Sequence, residues 1–299
     1  MERKIIDTVK MNNCVIKNAI EYIDLCESEY KSQMEKIVEY IKLNNEIKFI
    51  LLAGPSSSGK TTTAKLLKQN LEANGYNAKT ISLDDFFVER SETPLWDDGR
   101  PNYETVDSID WKLFDDCVHN LLTDGKSLMP TYNFITGEKE FHETLTLNNK
   151  DIIIIEGLHA LNKIIDNFIN TNLSLKIYLA PSVEYIKNDE TLLDGLTVRF
   201  FRRLIRDLYT RGSNPDKTLE EWKDVIEGEK LYIDPFKNTA QFTINTAHPY
   251  EVCVYKDILK FLNLDTHEVL KDKVKIFENF SSISKDNVPQ DSLLQEFVH

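Results

Sequence analysis

The stretch Phe49-Ile-Leu-Leu-Ala53-Gly54-Pro55-Ser56-Ser57-Ser58-Gly59-Lys60-Thr61-Thr62 decides the fold. A short apolar run ending in glycine is the mark of a strand covered on both faces. The residues after that run, Gly54 to Thr61, fit the phosphate-binding pattern G-x-x-x-x-G-K-[ST]. Gly54 and Gly59 are expected to let the backbone turn tightly, so that successive N–H groups point inward at phosphate oxygens. A helix over Thr61 to Ala73 then presents its positive end to the same anion. In this pattern Lys60 reaches the β and γ phosphates, and the Thr61 hydroxyl coordinates Mg²⁺. The expected cofactors are ATP and Mg²⁺, with Gly54 through Thr62 as the nucleotide-binding residues.

Outward from the loop, strands and helices alternate. Upstream, apolar residues at Val15, Ile16, Ala19, Ile20 and Ile23, then Tyr30, Met34, Ile37, Val38 and Ile41, keep helical spacing over residues 12 to 44. Downstream, strands are expected at Thr80 to Leu83, Asp151 to Glu156, Leu175 to Leu179 and Phe242 to Asn245. A hairpin falls within 128 to 149, with Thr136-Gly137 as its turn. Helices are expected at Asp110 to Leu122, Leu196 to Tyr209, Leu219 to Glu229 and Tyr250 to Leu262. This order implies an α/β fold of the P-loop NTPase type: a mostly parallel sheet with helices on both faces, plus an N-terminal helical extension. The expected division is an extension over 1–45, a kinase domain over 46–280 with a lid near 199–217, and a polar C-terminal tail over 281–299.

Open α/β sheets gather ligands at the carboxyl ends of their strands. Asp84 and Asp85 fall at one such end and Glu156 at another. A carboxylate after the most apolar strand suits Mg²⁺, and one beside the γ phosphate can accept a proton from an attacking hydroxyl. The chain carries 36 basic and 49 acidic residues, a formal charge of −13, so its overall field repels nucleic acid and anionic membranes. A polyanionic ligand then needs a local basic site. Arg199, Arg202, Arg203 and Arg206 recur at helical spacing and are expected to share a side, with Arg211 in the loop beyond. Guanidinium groups bind two phosphate oxygens at once, and a closing lid can deliver them.

Four scattered cysteines lack metal-ligand or redox spacing, no apolar run approaches the ~20 residues of a membrane span, and the N-terminus lacks a signal peptide's apolar stretch. The expectation is a cytoplasmic protein with no nucleic-acid or membrane partner, and homo-oligomerisation is left open. The phosphate loop alone does not choose between kinase, GTPase and motor, but the guanine-reading Asn-Lys-x-Asp motif is absent.

Together these segments resemble the uridine kinase family, within the wider group that includes phosphoribulokinase. The likeness rests on Ala53 to Leu67, Ser82-Leu-Asp-Asp-Phe-Phe87, Pro130-Thr-Tyr-Asn-Phe134, Ile152 to Gly157 and Arg202 to Arg211. It extends to the kinase portion of longer bacterial uridine-kinase-like fusion proteins. The resemblance implies phosphorylation of a nucleoside 5′-hydroxyl, with Asp84 as general base and Glu156 at Mg²⁺ beside Thr61. It puts Arg203, Arg206 and Arg211 around the phosphates and the acceptor, Glu104 on the ribose hydroxyls and Tyr132 by the base. Phe87 stands where the family commonly has tyrosine, Gly137 where animal uridine-cytidine kinases carry a pyrimidine-reading histidine, and Ser213 where a further lid arginine lies. Two alternatives stay open: a kinase for another small alcohol, such as a sugar phosphate or a vitamin, and a nucleotide-dependent regulatory ATPase.

Overall fold

The computed structural model describes residues 1–210 and 212–298. The chain opens with β1 (Lys4–Asp7) and α1 (Thr8–Leu43), and the phosphate loop joins β2 (Phe49–Ala53) to α2 (Lys60–Ala73). Then come β3 (Ala78–Ser82), α3 (Trp111–Asp124), the hairpin β4 (Lys126–Asn133) and β5 (Glu138–Thr146), β6 (Ile152–Glu156) and β7 (Ser174–Ala180). A second hairpin, β8 (Val183–Lys187) and β9 (Glu190–Asp194), leads into α4 (Gly195–Thr210) and α5 (Pro215–Gly228), followed by β10 (Phe242–Asn245), α6 (Glu251–Phe261) and α7 (Lys271–Lys275).

The central sheet has the order β10-β7-β2-β6-β3, and every neighbouring pair is parallel. Its strands alternate between two cores because successive side chains leave a strand on opposite faces. Ile50, Leu52, Ile152, Ile154, Leu175 and Ile177 join the core built with α1, α2, α4 and α6. Phe49, Leu51, Ile153, Ile155 and Tyr178 join the other core, with Phe114, Val118 and Leu121 of α3. All five residues of β2 and of β6 are buried, which explains why both segments read as unbroken apolar runs. None of the helices among the described residues is long and apolar enough to cross a membrane.

The expected N-terminal helix is present as α1, and a strand precedes it: β1 pairs in parallel with β8 in a separate three-stranded sheet. Two expectations are corrected here. Within α1, Asn18 leaves helical backbone (φ −161°, ψ 95°), which breaks the regular stripe; Ile16 and Ile20 are exposed while Val15 and Ile23 are buried. The C-terminal tail, polar by composition, is packed: Ile283, Val288, Leu293, Leu294, Phe297 and Val298 are buried in the same core as α1 and α2.

A polar knot ties these outer segments together. Glu27 of α1 accepts hydrogen bonds on Oε1 from the Tyr250 and Ser292 hydroxyls, each at 2.5 Å, and its Oε2 lies 3.6 Å from His248 Nε2. Burial pushes the Glu27 carboxyl up, but the hydrogen bonds and charge of its neighbours outweigh it and hold the group at about 2. A carboxyl depressed in the folded state adds stability above its unfolded value of 4.5 and loses it as pH falls towards 2. Glu27→Gln keeps an acceptor oxygen but cannot ionise. In urea titrations the stability gap between wild type and Glu27→Gln, up to about 3 kcal/mol, is expected to close between about pH 5 and pH 2. A gap constant across that range contradicts the assignment.

Candidate active site

The phosphate loop lies at the carboxyl ends of the parallel strands. Its two glycines serve different needs, which corrects the expectation that both supply tight turns. Gly59 sits at φ +88°, in the left-handed region, as the residue before α2. Gly54 does not have positive φ; it is required by proximity, because a Cβ there would lie 2.3 Å from the Leu179 carbonyl oxygen of β7. Ser57 also adopts a left-handed conformation (φ 58°). Lys60 is buried, and its Nζ donates to the Pro55 carbonyl at 3.3 Å, across the loop. The Ser57 and Ser58 hydroxyls are buried without hydrogen-bond partners, as is Nη2 of Arg199. Buried orphaned donors are rare and costly, and here they cluster around a loop suited to an anion.

Two strand ends deliver carboxylates to this loop. Glu156, the last residue of β6, accepts on Oε1 from Thr61 Oγ1 at 3.0 Å and from Ser82 Oγ at 2.8 Å. Its Oε2 is buried with no partner. Burial, with the negative charge of Asp84 added, pushes the Glu156 carboxyl up to about 7, against the pull of Lys60. Asp84 and Asp85 stand in a 3₁₀ turn, Leu83–Phe86, directly after β3, and they part company. Asp85 accepts the Tyr132 backbone N–H at 3.2 Å and so holds the first hairpin to the sheet. The charge of Asp84 instead is felt by Glu156 and Glu104. Glu104 is raised to about 7 by burial and by Asp84, with Arg203, Lys60 and Arg199 opposing. The end of α5 covers it, since a Cβ at Gly228 would lie 2.2 Å from that of Glu104.

Helix α4 lies over the loop. Arg199 Nε donates to the Ser56 carbonyl at 3.0 Å and Nη1 to Glu229 at 2.7 Å. Arg203 Nη1 donates to Ser56 Oγ at 3.1 Å and Nη2 to Glu221 at 2.7 Å. Arg206 has Asp207 Oδ1 at 3.3 Å and Glu296 Oε1 at 3.8 Å. Arg202 departs from the expected common side. It is fully buried, donating from Nε and Nη2 to the Glu251 carboxylate at 2.7 and 2.9 Å and from Nη2 to the Thr246 carbonyl at 2.8 Å. The arginine stripe is wide enough that its edge turns into the core, where α6 supplies a counter-charge. Arg211 lies outside the described residues.

On the acceptor side, Phe87, Tyr132 and Phe134 form an aromatic group with ring centroids 5.2 to 6.2 Å apart. Gly137 has no room for a larger residue: a Cβ there would lie 2.7 Å from Arg90, whose guanidinium donates to the carbonyls of Phe134 and Ile135. Two contributors were missed in the sequence. Ser82 orients Glu156, and its strand-end position was the available signal; Arg199, expected in the basic group, reaches Ser56. His159, three residues past Glu156, is buried, and burial drives it down to about 4, with the Lys60 charge adding to the fall and the Thr105 and Glu104 backbone opposing it. A lone histidine after an apolar strand carries no signal that separates it from core packing.

A model of the phosphoribulokinase/uridine kinase family matches residues 49–252, more than half of the chain and the whole of this site. The chain belongs to this family. It is therefore a P-loop kinase, a transferase. Relatives include a uridine kinase of Staphylococcus epidermidis, 28% identical over 214 residues that cover 70% of this chain and 93% of the relative. A uridine kinase of Halobacterium salinarum is 27% identical, over 64% of this chain and 77% of its own. Among solved structures, a possible uridine kinase from Bacillus stearothermophilus matches 72% of this chain and 99% of its own, at 19% identity and a TM-score of 0.49. The family match ends before the C-terminal 47 residues.

Proposed function

We propose that this family member transfers the γ-phosphoryl group of ATP to the 5′-hydroxyl of a uridine- or cytidine-like nucleoside. One observation carries the reading: Glu156 accepts from Thr61 at the phosphate loop while Arg203 reaches Ser56 of the same loop from α4, and the charges of Asp84 and Lys60 both act on Glu156 and on Glu104. Gly54 to Thr62 would bind the donor. The buried, unpartnered Oε2 of Glu156 and the hydroxyl of Thr61 beside it fit a hard cation that prefers oxygen. Among the described residues no cluster of three or more His, Cys, Asp or Glu side chains could hold a metal, and a Mg²⁺ carried on phosphates needs only one or two protein ligands. When bound, Mg²⁺ supplies charge neutralisation at the phosphates.

In this mechanism Asp84 accepts the proton of the acceptor hydroxyl as its oxygen bonds to the γ phosphorus. The bond to the bridging oxygen breaks, and ADP leaves with that electron pair. Lys60, Arg203, Arg206 and Arg211 stabilise the charge on the phosphoryl group. Glu104 holds the ribose hydroxyls, and Phe87 and Tyr132 stack against the base. Arg90 fills the space beside Gly137, so base selectivity rests on this aromatic group and not on an imidazole at that turn. Four free cysteines suit a reducing, cytoplasmic setting.

Mass spectrometry of products from ATP, Mg²⁺ and a mixture of nucleosides, sugar phosphates and vitamin alcohols tests the substrate. The expected product is a pyrimidine nucleoside 5′-monophosphate. Phosphorylation confined to another alcohol overturns the nucleoside assignment.

A further inference from the structure

The C-terminal segment ends on the phosphate loop itself. Thr62 Oγ1, at the start of α2, donates to Glu296 Oε2 at 2.9 Å. Arg206 Nη1 of α4 lies 3.8 Å from Oε1 of the same carboxylate. Leu293 covers Gly59, where a Cβ would stand 2.4 Å from Leu293 Cδ1. Leu293 and Glu296 lie beyond residue 252, where the family match stops.

The backbone here is firmly held. Leu293, Leu294 and Phe297 are fully buried, Ser292 donates to Glu27, and the Arg202 guanidinium sits 5.1 Å from the centre of the Phe297 ring. The Glu296 side chain is different, with 22% of its surface exposed. It can therefore change its rotamer while the segment stays docked.

A carboxylate that accepts from a hydroxyl beside a guanidinium uses the donors that a phosphate oxygen uses. An arriving polyanion must take those donors over or remain next to a like charge. We propose that Glu296 determines donor affinity: its carboxylate occupies Thr62 and Arg206 in competition with a phosphate of the nucleotide, which displaces it on binding. The inference rests on the reading of the loop as the donor site. It adds that the chain carries its own competitor for that site, on a segment outside the family match.

The test is calorimetric titration of the full chain with Mg²⁺·ATP and with adenosine, in wild type, Glu296→Ala and Glu296→Asp, with Lys60→Ala as a control. Glu296→Ala is expected to bind ATP about tenfold more tightly, the equivalent of one charge-assisted hydrogen bond. Glu296→Asp keeps the charge but is one methylene too short to reach Thr62, so it is expected to gain affinity as well. Adenosine, lacking phosphate, is expected to bind all three alike. Unchanged or weaker ATP binding in Glu296→Ala overturns the proposal, and so does a gain in Glu296→Ala that Glu296→Asp does not share, since that reports field strength without contact. If wild type binds ATP, Lys60→Ala does not and the Glu296 variants match wild type, this inference alone fails. If none of the proteins binds ATP, the donor-site reading fails with it.

Discussion

Replacing Asp84 with asparagine is expected to lower turnover by about 10²-fold or more while ATP binding stays close to wild type. Asparagine preserves the shape of the side chain and removes only its capacity to take a proton. The same substitution at the neighbouring Asp85 serves as the internal contrast. Asp85 only accepts the Tyr132 backbone N–H, which an asparagine oxygen can still accept, so Asp85→Asn is expected to leave kcat close to wild type. Steady-state kinetics that separate kcat from KM check both variants. Equal losses of kcat at the two positions would remove the distinction that the 3₁₀ turn draws between adjacent carboxylates.

The second large effect concerns stability. Arg202 and Glu251 form a fully buried bidentate pair, and the Tyr255 hydroxyl also donates to Glu251, at 3.1 Å. Arg202→Ala leaves a carboxylate without its counter-charge in the core. The expected cost is about 3–5 kcal/mol, measured by urea or guanidinium denaturation. Removing both charges with apolar residues of similar length, Arg202→Met with Glu251→Met, is expected to recover most of that loss, because no unpaired charge remains. A cost below about 1 kcal/mol for the single change would mean that water reaches the site and that the pair is not the structural tie between α4 and α6.

The contrast between Arg202 and its neighbours also marks what was legible in the sequence. Segments governed by local rules were readable. The bounds expected for β2 are those found, because a buried strand needs an unbroken apolar run and a turn signal to end it. The glycine-lysine-threonine pattern located the loop because its geometry depends on residues adjacent in the chain. Periodicity placed Arg199, Arg203 and Arg206 on one helix, but it could not tell which edge of the stripe meets Glu251, a residue 49 positions on from Arg202. The tail was opaque for a similar reason. Leu293, Leu294 and Phe297 lie in a short 3₁₀ turn and the residue after it, with no repeat long enough to give a pattern, and their partners are in α1, α2 and α4. The four-residue β1 carries too few side chains to alternate visibly, and its partner β8 is nearly 180 residues away. Gly54 was found for the wrong reason, since the approach of β7 and not the φ of Gly54 excludes a side chain there.

The most direct measurement tracks ADP and phosphorylated product together in one reaction containing ATP, Mg²⁺ and uridine. One uridine 5′-monophosphate is expected for each ADP, and little ADP when uridine is left out, as for a kinase whose phosphoryl acceptor is an alcohol and not water. ADP released at the same rate with or without uridine, and without a phosphorylated nucleoside, would contradict it.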